Sequence, residues 1–227
     1  EHYRPRPDGQ IVAVYWESWM DVPASDAPAD LDAMRLMAIP AEVDIVYLHT
    51  ALPQCTYSSL DDDIQTTVGI LWPGPVSLLK AAIDRFRVSH PRTNIMLVVM
   101  QLGPGYSWLP EPYDPTGFGG QSEAHMAALR QLVDDLGLDG VDVDYELMSQ
   151  VNDLEHHCWT DADGIRRCYT DAELVEVIKR FRRWFPRPHY LLSWAGVHVG
   201  CYGEPPFQRS APAGGGWNGG KPGGKRE

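Results

Sequence analysis

Five short apolar runs, separated by amphipathic segments, most constrain what this chain can fold into. Each run is at most ten residues long, and its apolar side chains are largely continuous rather than strictly alternating. This pattern favours strands that are buried on both faces, as in parallel sheets. The runs cover residues 11–19, 43–52, 94–103, 140–146 and 189–196.

Helical periodicity fills the intervals between these runs. Ser122 and Gly137 are the predicted N-cap and stop of one helix, Asp30 is the predicted N-cap of another, and Thr170 with Glu173 forms a capping-box pattern. The regular alternation of strand and helix predicts an α/β fold of consecutive βα units with right-handed crossovers. The predicted helices cover residues 30–39, 76–88, 122–136 and 170–185.

Composition and charge exclude several classes of partner. The chain has 227 residues, 44% hydrophobic content and a net charge of −12. An acidic chain lacks the basic patch that nucleic acids or an anionic membrane surface would require, and no apolar run reaches the roughly 20 residues of a membrane span. We therefore expect neither a nucleic-acid partner nor a membrane partner.

The four cysteines favour an oxidising compartment. Cys158 and Cys168 are the first and last residues of an eleven-residue segment that contains the turn pattern D-A-D-G, which suits a small loop closed by a disulfide. The chain begins with Glu rather than Met, which suggests a removed leader, so we expect a secreted, extracellular protein. Four reduced thiols are the alternative, and the sequence does not reveal whether Cys55 pairs with Cys201.

Three acids occupy every second position of the fourth apolar run. Asp142, Asp144 and Glu146 would therefore share one face of a strand, about 6.6 Å apart in succession. Burial and neighbouring negative charge both raise the pKa of a carboxyl group, which a general acid requires near neutral pH. In a βα barrel Glu146 would lie at the mouth, where functional residues cluster, with the two aspartates deeper.

The segment from Asp139 to Glu146 resembles the D-G-x-D-x-D-x-E signature of the family-18 glycoside hydrolases, the chitinases and related endo-β-N-acetylglucosaminidases. The resemblance implies a (β/α)₈ TIM-type barrel, partial or truncated here because only five βα units are visible. It implies that Glu146 protonates the glycosidic oxygen, that Asp144 binds the substrate's N-acetyl group and that Asp142 shares a proton behind it. The nucleophile would be the acetamido carbonyl of the substrate itself. Asp139 and Gly140 are expected to support the turn into the strand.

Composition, strand alternation and the resemblance together give the expected organisation and ligands. Residues 1–10 would be an N-terminal extension, residues 11–202 the barrel portion and residues 203–227 a disordered Gly/Pro-rich tail. The expected ligand is chitin or a chito-oligosaccharide, with no cofactor and no metal. Tyr15, Trp19 and Trp194 are candidate sugar contacts, with core packing as the alternative reading of each.

Two departures from the family pattern leave alternatives open. Many members carry S-x-G-G at the end of the third strand, whereas residues 100–105 read M-Q-L-G-P-G. A (β/α)₈ barrel also needs eight strands. The chain is therefore expected to be an incomplete form of a longer enzyme, a short form completed by a dimer or partner chain, or a relative that binds carbohydrate without cleaving it. Binding of Ca²⁺ or Mg²⁺ by the three acids is a further alternative.

Overall fold

The computed structural model describes eight stretches of the chain. They are residues 10–21, 30–61, 69–72, 74–100, 108, 120–145, 158–160 and 166–196, without the side chains of 158–160, 166–173 and 196. Glu146, Cys201, the predicted tail and nearly all of the predicted N-terminal extension lie outside these residues.

A parallel sheet is the centre of the fold. The strands of the described residues are β1 (Ala13–Glu17), β2 (Ile45–Ala51), β3 (Asn94–Met100), β4 (Gly140–Tyr145), β5 (Cys158–Thr160), β6 (Arg166–Cys168) and β7 (Leu191–Gly196). Five of them pair in the order β1-β2-β3-β4-β7, and every pair is parallel. The order never reverses, as it would in a doubly wound sheet, so each βα unit adds its strand on the same side. The predicted α/β architecture, a partial (β/α)₈-type barrel, is confirmed.

Helices cover one face of this sheet in the described residues. They are α1 (Val76–Ser89), α2 (Glu123–Leu136) and α3 (Tyr169–Trp184). Their apolar side chains form one core cluster with every second residue of the strands, including Leu97, Val143 and Tyr145. Tyr145 thus packs in the core, as the alternation along β4 predicts.

The predicted ends of α2 are confirmed. The Ser122 hydroxyl accepts the His125 N–H, and the His125 ring accepts the Ser122 N–H, which completes a capping box. Gly137 ends the helix with φ of 68°, a left-handed conformation that favours glycine. The capping-box prediction for Thr170 is wrong, because α3 begins at Tyr169 and Thr170 lies inside it.

The helix predicted over residues 30–39 is also wrong. Two short 3-10 helices, Leu31–Ala33 and Arg35–Ala38, replace it, although Asp30 does cap the first of them. The buried carboxylate of Asp21 accepts the backbone N–H groups of Arg35 and Leu36 at 2.6 and 2.9 Å. Those N–H groups are therefore not available for a continuous α-helix.

The segment between β4 and α3 contains a small antiparallel hairpin. Strands β5 and β6 pair with Cys158 directly opposite Cys168. The turn predicted between the two cysteines is consistent with this pairing. The predicted disulfide remains a prediction.

The start of β4 is fixed by its neighbours on both sides. The Asp139 carboxylate accepts the Ile95 N–H and the Arg87 guanidinium, each at 2.8 Å. A Cβ atom on Gly140 would lie 2.1 Å from the carbonyl oxygen of Leu191, so only glycine fits between β4 and β7. These contacts determine where the acid-bearing strand sits.

No helix in the described ranges is long and apolar enough to cross a membrane.

Candidate active site

Asp142 and Asp144 lie on the face of the sheet that the helices leave uncovered, which we call the inner face. Val141, Val143 and Tyr145 point into the helical core, so the residues between them point the other way. Asp142 is 1% exposed and Asp144 is 7% exposed. Two carboxyl groups are thus buried side by side at the carboxyl end of β4.

Two hydroxyl groups hold Asp142 from opposite edges of the sheet. Ser193, on β7, donates to Oδ1 at 2.5 Å, and Tyr15, on β1, donates to Oδ2 at 3.4 Å. In a flat sheet β1 and β4 would be roughly 14 Å apart, since neighbouring strands are separated by about 4.8 Å. The Tyr15 contact therefore requires the inner face to be strongly concave, as it is inside a barrel.

These surroundings shift the acidity of Asp142. Burial raises its pKa above the ordinary value and the nearby Asp144 charge adds to this, while the hydrogen bonds from Ser193 and Tyr15 act in the opposite direction. Burial, followed by the charges of both aspartates, also raises the pKa of Tyr15, so its hydroxyl remains a donor.

The side of Asp144 that faces β2 contacts His49. The Nε2 atom of His49 lies 3.8 Å from Oδ2 of Asp144, and the imidazole lies 5.0 Å from the Trp19 ring, centre to centre. On β3, Met100 is in register with Asp144. Where the family-18 pattern has small residues at the end of the third strand, this chain therefore has the long apolar side chain of Met100 beside Asp144.

The three predicted sugar contacts separate into two groups. Tyr15 contacts Asp142 directly, whereas Trp19 packs against His49, which contacts Asp144, and the two aromatic residues are 49% and 36% exposed. Trp194 is in register with the helix-facing Val143, so it lies on the opposite face of the sheet. There it lines a cavity of about 590 Å³ with Lys179 and other residues of α3. The structure therefore places Tyr15 at Asp142 and Trp19 at His49, but it does not place Trp194 on the face that carries the acids, and sugar binding by each of the three stays a prediction.

Sequence reasoning missed His49, Tyr47 and Ser193. Tyr47 packs against Tyr15 with ring centres 4.8 Å apart, and burial raises its pKa. Each of the three is a polar or amphipathic residue within an otherwise apolar strand. That signal was available, but only the register between strands shows that these side chains point to the acids.

A metal site is not evident in the structure as described. Its residues contain no group of three or more His, Cys, Asp or Glu side chains placed to hold an ion. Glu146, the third acid of the row, lies outside the described residues.

Comparison with known proteins finds similarity at the level of three-dimensional structure. No family model matches the chain, and no curated protein sequence matches it. A family-18 chitinase from Pseudoalteromonas aurantia is similar over 82% of this chain and 55% of its own length, with 16% identity and a TM-score of 0.46. A fungal endo-β-N-acetylglucosaminidase of family 18 is similar over 82% of this chain and 54% of its own length, with 16% identity and a TM-score of 0.46. Human YKL-39, described as a pseudo-chitinase with retained chitooligosaccharide binding, is similar over 82% of this chain and 43% of its own length, with 11% identity and a TM-score of 0.41. The chain spans about half the length of these proteins.

Proposed function

We propose that this chain carries the acid-bearing part of a family-18 glycoside hydrolase. It would hydrolyse β-1,4-glycosidic bonds in chitin or other oligosaccharides that contain N-acetylglucosamine, with retention at the anomeric carbon. The observation that carries the proposal is the buried Asp142–Asp144 pair on a concave face, in a segment whose sequence continues the alternation of acids to Glu146. We further propose that the protein is secreted.

The proposed reaction divides the work among the three acids. Glu146 donates its proton to the glycosidic oxygen as the bond to the anomeric carbon breaks. The substrate's acetamido carbonyl oxygen attacks that carbon and forms a cyclic oxazolinium ion, which water then opens with Glu146 as the base. Asp144 accepts the acetamido N–H, so the amide oxygen is held toward the carbon.

The surroundings of Asp142 suit the role of proton reservoir. Its raised pKa favours retention of a proton that Asp144 can share, while the two hydroxyl donors favour the carboxylate and so let Asp142 release that proton again. As positive charge develops on the oxazolinium ion, the proton can move toward Asp142 and leave Asp144 negatively charged. A buried anion at that place stabilises the cation more strongly than one in water would.

The test is turnover of a fluorogenic chito-oligosaccharide. Replacing Glu146 by Gln should lower kcat about 10²–10⁴-fold, the usual contribution of a general acid, while binding is retained. The matched control is Glu176→Gln, which removes a carboxylate that pairs with Lys179 on exposed α3. A matched cello-oligosaccharide should not be cleaved, because it lacks the 2-acetamido group. Equal activity of the Glu146 and Glu176 variants would refute the proposal.

Carbohydrate binding without cleavage is the second candidate. The exposed aromatic rings of Tyr15 and Trp19 beside the acid pair favour it, since such rings form platforms for sugars. Micromolar binding of the oligosaccharide by the wild type, with no turnover, would favour this candidate. Turnover that appears only in a dimer or with a partner chain would instead indicate a site completed by another chain.

A further inference from the structure

His49 is the only histidine among the described residues that contacts the acid pair. Its side chain is 16% exposed at the end of β2, on the inner face. Two aromatic rings confine the imidazole, with the Trp19 ring centre at 5.0 Å and the Tyr15 ring centre at 6.1 Å. Its Nε2 atom points to Oδ2 of Asp144.

Two buried atoms at this contact are unpaired within the part of the chain that the structure describes. They are Nδ1 of His49 and Oδ1 of Asp144. A buried polar atom without a partner destabilises the folded state, so native proteins rarely keep two together without a functional reason. Oδ1 of Asp144 is thus an acceptor that remains available to a ligand, while Oδ2 of the same carboxylate faces the imidazole.

We propose that His49 is a positioning residue for Asp144: its Nε2–H group donates to Oδ2 when substrate binds, which directs Oδ1 to the substrate's amide. This inference rests on the proposed function for its substrate, but the contact between the two side chains does not. The present separation of 3.8 Å suits an ion pair and is longer than a hydrogen bond. Contacts of this kind are often long before substrate binds and tighten in the complex.

The charge state of the imidazole matters because the site is crowded with ionisable groups. A protonated His49 acts to lower the pKa of Asp142, which opposes the effects of burial and of Asp144. Met100 on β3 and Trp19 after β1 face the site without titrating. The titratable groups that face His49 within the described residues are Glu17 and Tyr15 on β1, Tyr47 on β2, and Asp142 and Asp144 on β4.

The first experiment tests the contact without any turnover. Unfolding in urea is measured for His49→Gln, Asp144→Asn and the double variant, at pH 5.5 and pH 8.5. We expect the midpoint shift of the double variant to differ from the sum of the single shifts at pH 5.5 and to approach that sum at pH 8.5, because an imidazolium attracts a carboxylate more strongly than a neutral imidazole does. His125→Gln is the matched control, since Gln can replace His125 in its capping box, and its shift should add to that of Asp144→Asn. Additive shifts for His49 at both pH values would overturn the inference.

The second experiment tests the positioning role. His49→Leu should lower kcat roughly 10–100-fold with little change in KM, because a misplaced Asp144 weakens an interaction that strengthens in the transition state. His49→Gln keeps a neutral donor and should recover most of this loss. Because a protonated His49 lowers the pKa of Asp142, that pKa should rise in both His49 variants, and the acidic limb of the profile of kcat/KM against pH should move to higher pH. The limb should stay unchanged in His125→Gln. Wild-type kinetics in His49→Leu would overturn the positioning role. Coupling to Asp144 without any wild-type turnover would support the contact and refute the proposed hydrolysis instead.

Discussion

Replacing Gly140 by Ala should break the junction between β4 and β7. The new Cβ atom would lie 2.1 Å from the Leu191 carbonyl oxygen, and 2.7 and 2.8 Å from the carbonyl carbon and amide nitrogen of the same residue. All three are backbone atoms, so no side-chain rotation relieves the overlap. The strands must separate by about 1.3 Å to restore an ordinary contact of 3.4 Å. The neighbouring hydrogen bond from Leu191 N–H to the Asp139 carbonyl, now 2.8 Å, would be lost or weakened.

The expected cost follows from these two effects. Overpacking of this kind costs about 1–3 kcal/mol, and the hydrogen bond contributes about 1 kcal/mol more. We therefore expect the free energy of unfolding to fall by about 3 kcal/mol. With a urea m-value of about 2 kcal/mol per M, the midpoint would move by roughly 1.5 M, measured by tryptophan fluorescence.

Gly137→Ala is the matched control for this experiment. Gly137 also requires glycine, with φ of 68°, but a Cβ atom there would meet nothing within 4 Å. Its cost should be only the left-handed backbone strain, about 1 kcal/mol. If Gly140→Ala is no more destabilising than Gly137→Ala, the close approach of the two strands is not real.

Three further outcomes are expected. Ser193→Ala removes a hydrogen bond that lowers the pKa of Asp142, so that pKa rises further. A carboxyl group whose pKa is raised by folding stabilises the fold below its ordinary pKa and loses that contribution as the pH rises toward the folded value. The variant should therefore lose about 2 kcal/mol of unfolding free energy at pH 7 and less at pH 4, and equal losses would contradict this account. Peptide mapping without reductant should recover Cys158 linked to Cys168, which are paired across the hairpin, whereas two free thiols would refute the predicted disulfide. Burial raises the pKa of the Cys55 thiol to about 12, so a thiol reagent at pH 8 should modify Cys55 only after unfolding.

The five strands of the parallel sheet and the three helices α1, α2 and α3 could be predicted because their determinants are local. Continuous apolar runs specify strands that are covered on both faces, and the caps at Ser122 and Gly137 act within one helical turn. The helix prediction for residues 30–39 was wrong because the structure there depends on a contact outside the segment. A carboxylate at Asp21, nine residues before Asp30, binds the Arg35 and Leu36 N–H groups, and helical periodicity contains no information about that contact.

The candidate site was predictable along one strand and not between strands. Alternation placed Asp142 and Asp144 on a common face because the apolar residues between them in β4 indicate which face is covered by the core. In β7 both Ser193 and Trp194 are compatible with either face, since the strand has apolar residues at both parities. Only pairing with β4 decides that Ser193 reaches Asp142 and that Trp194 does not.

The two hydrogen bonds that Asp142 accepts link its protonation to the shape of the sheet. Tyr15 and Ser193 belong to strands at opposite margins of the five-stranded sheet, yet both end on one carboxylate, and the Tyr15 bond joins positions 127 residues apart. The curvature of the sheet and the pKa of Asp142 therefore change together. A force or solvent change that flattens the sheet would withdraw Tyr15, raise the proton affinity of the carboxylate and leave a spectroscopic trace in the tyrosine, so the protonation of one buried group reports the shape of the whole sheet.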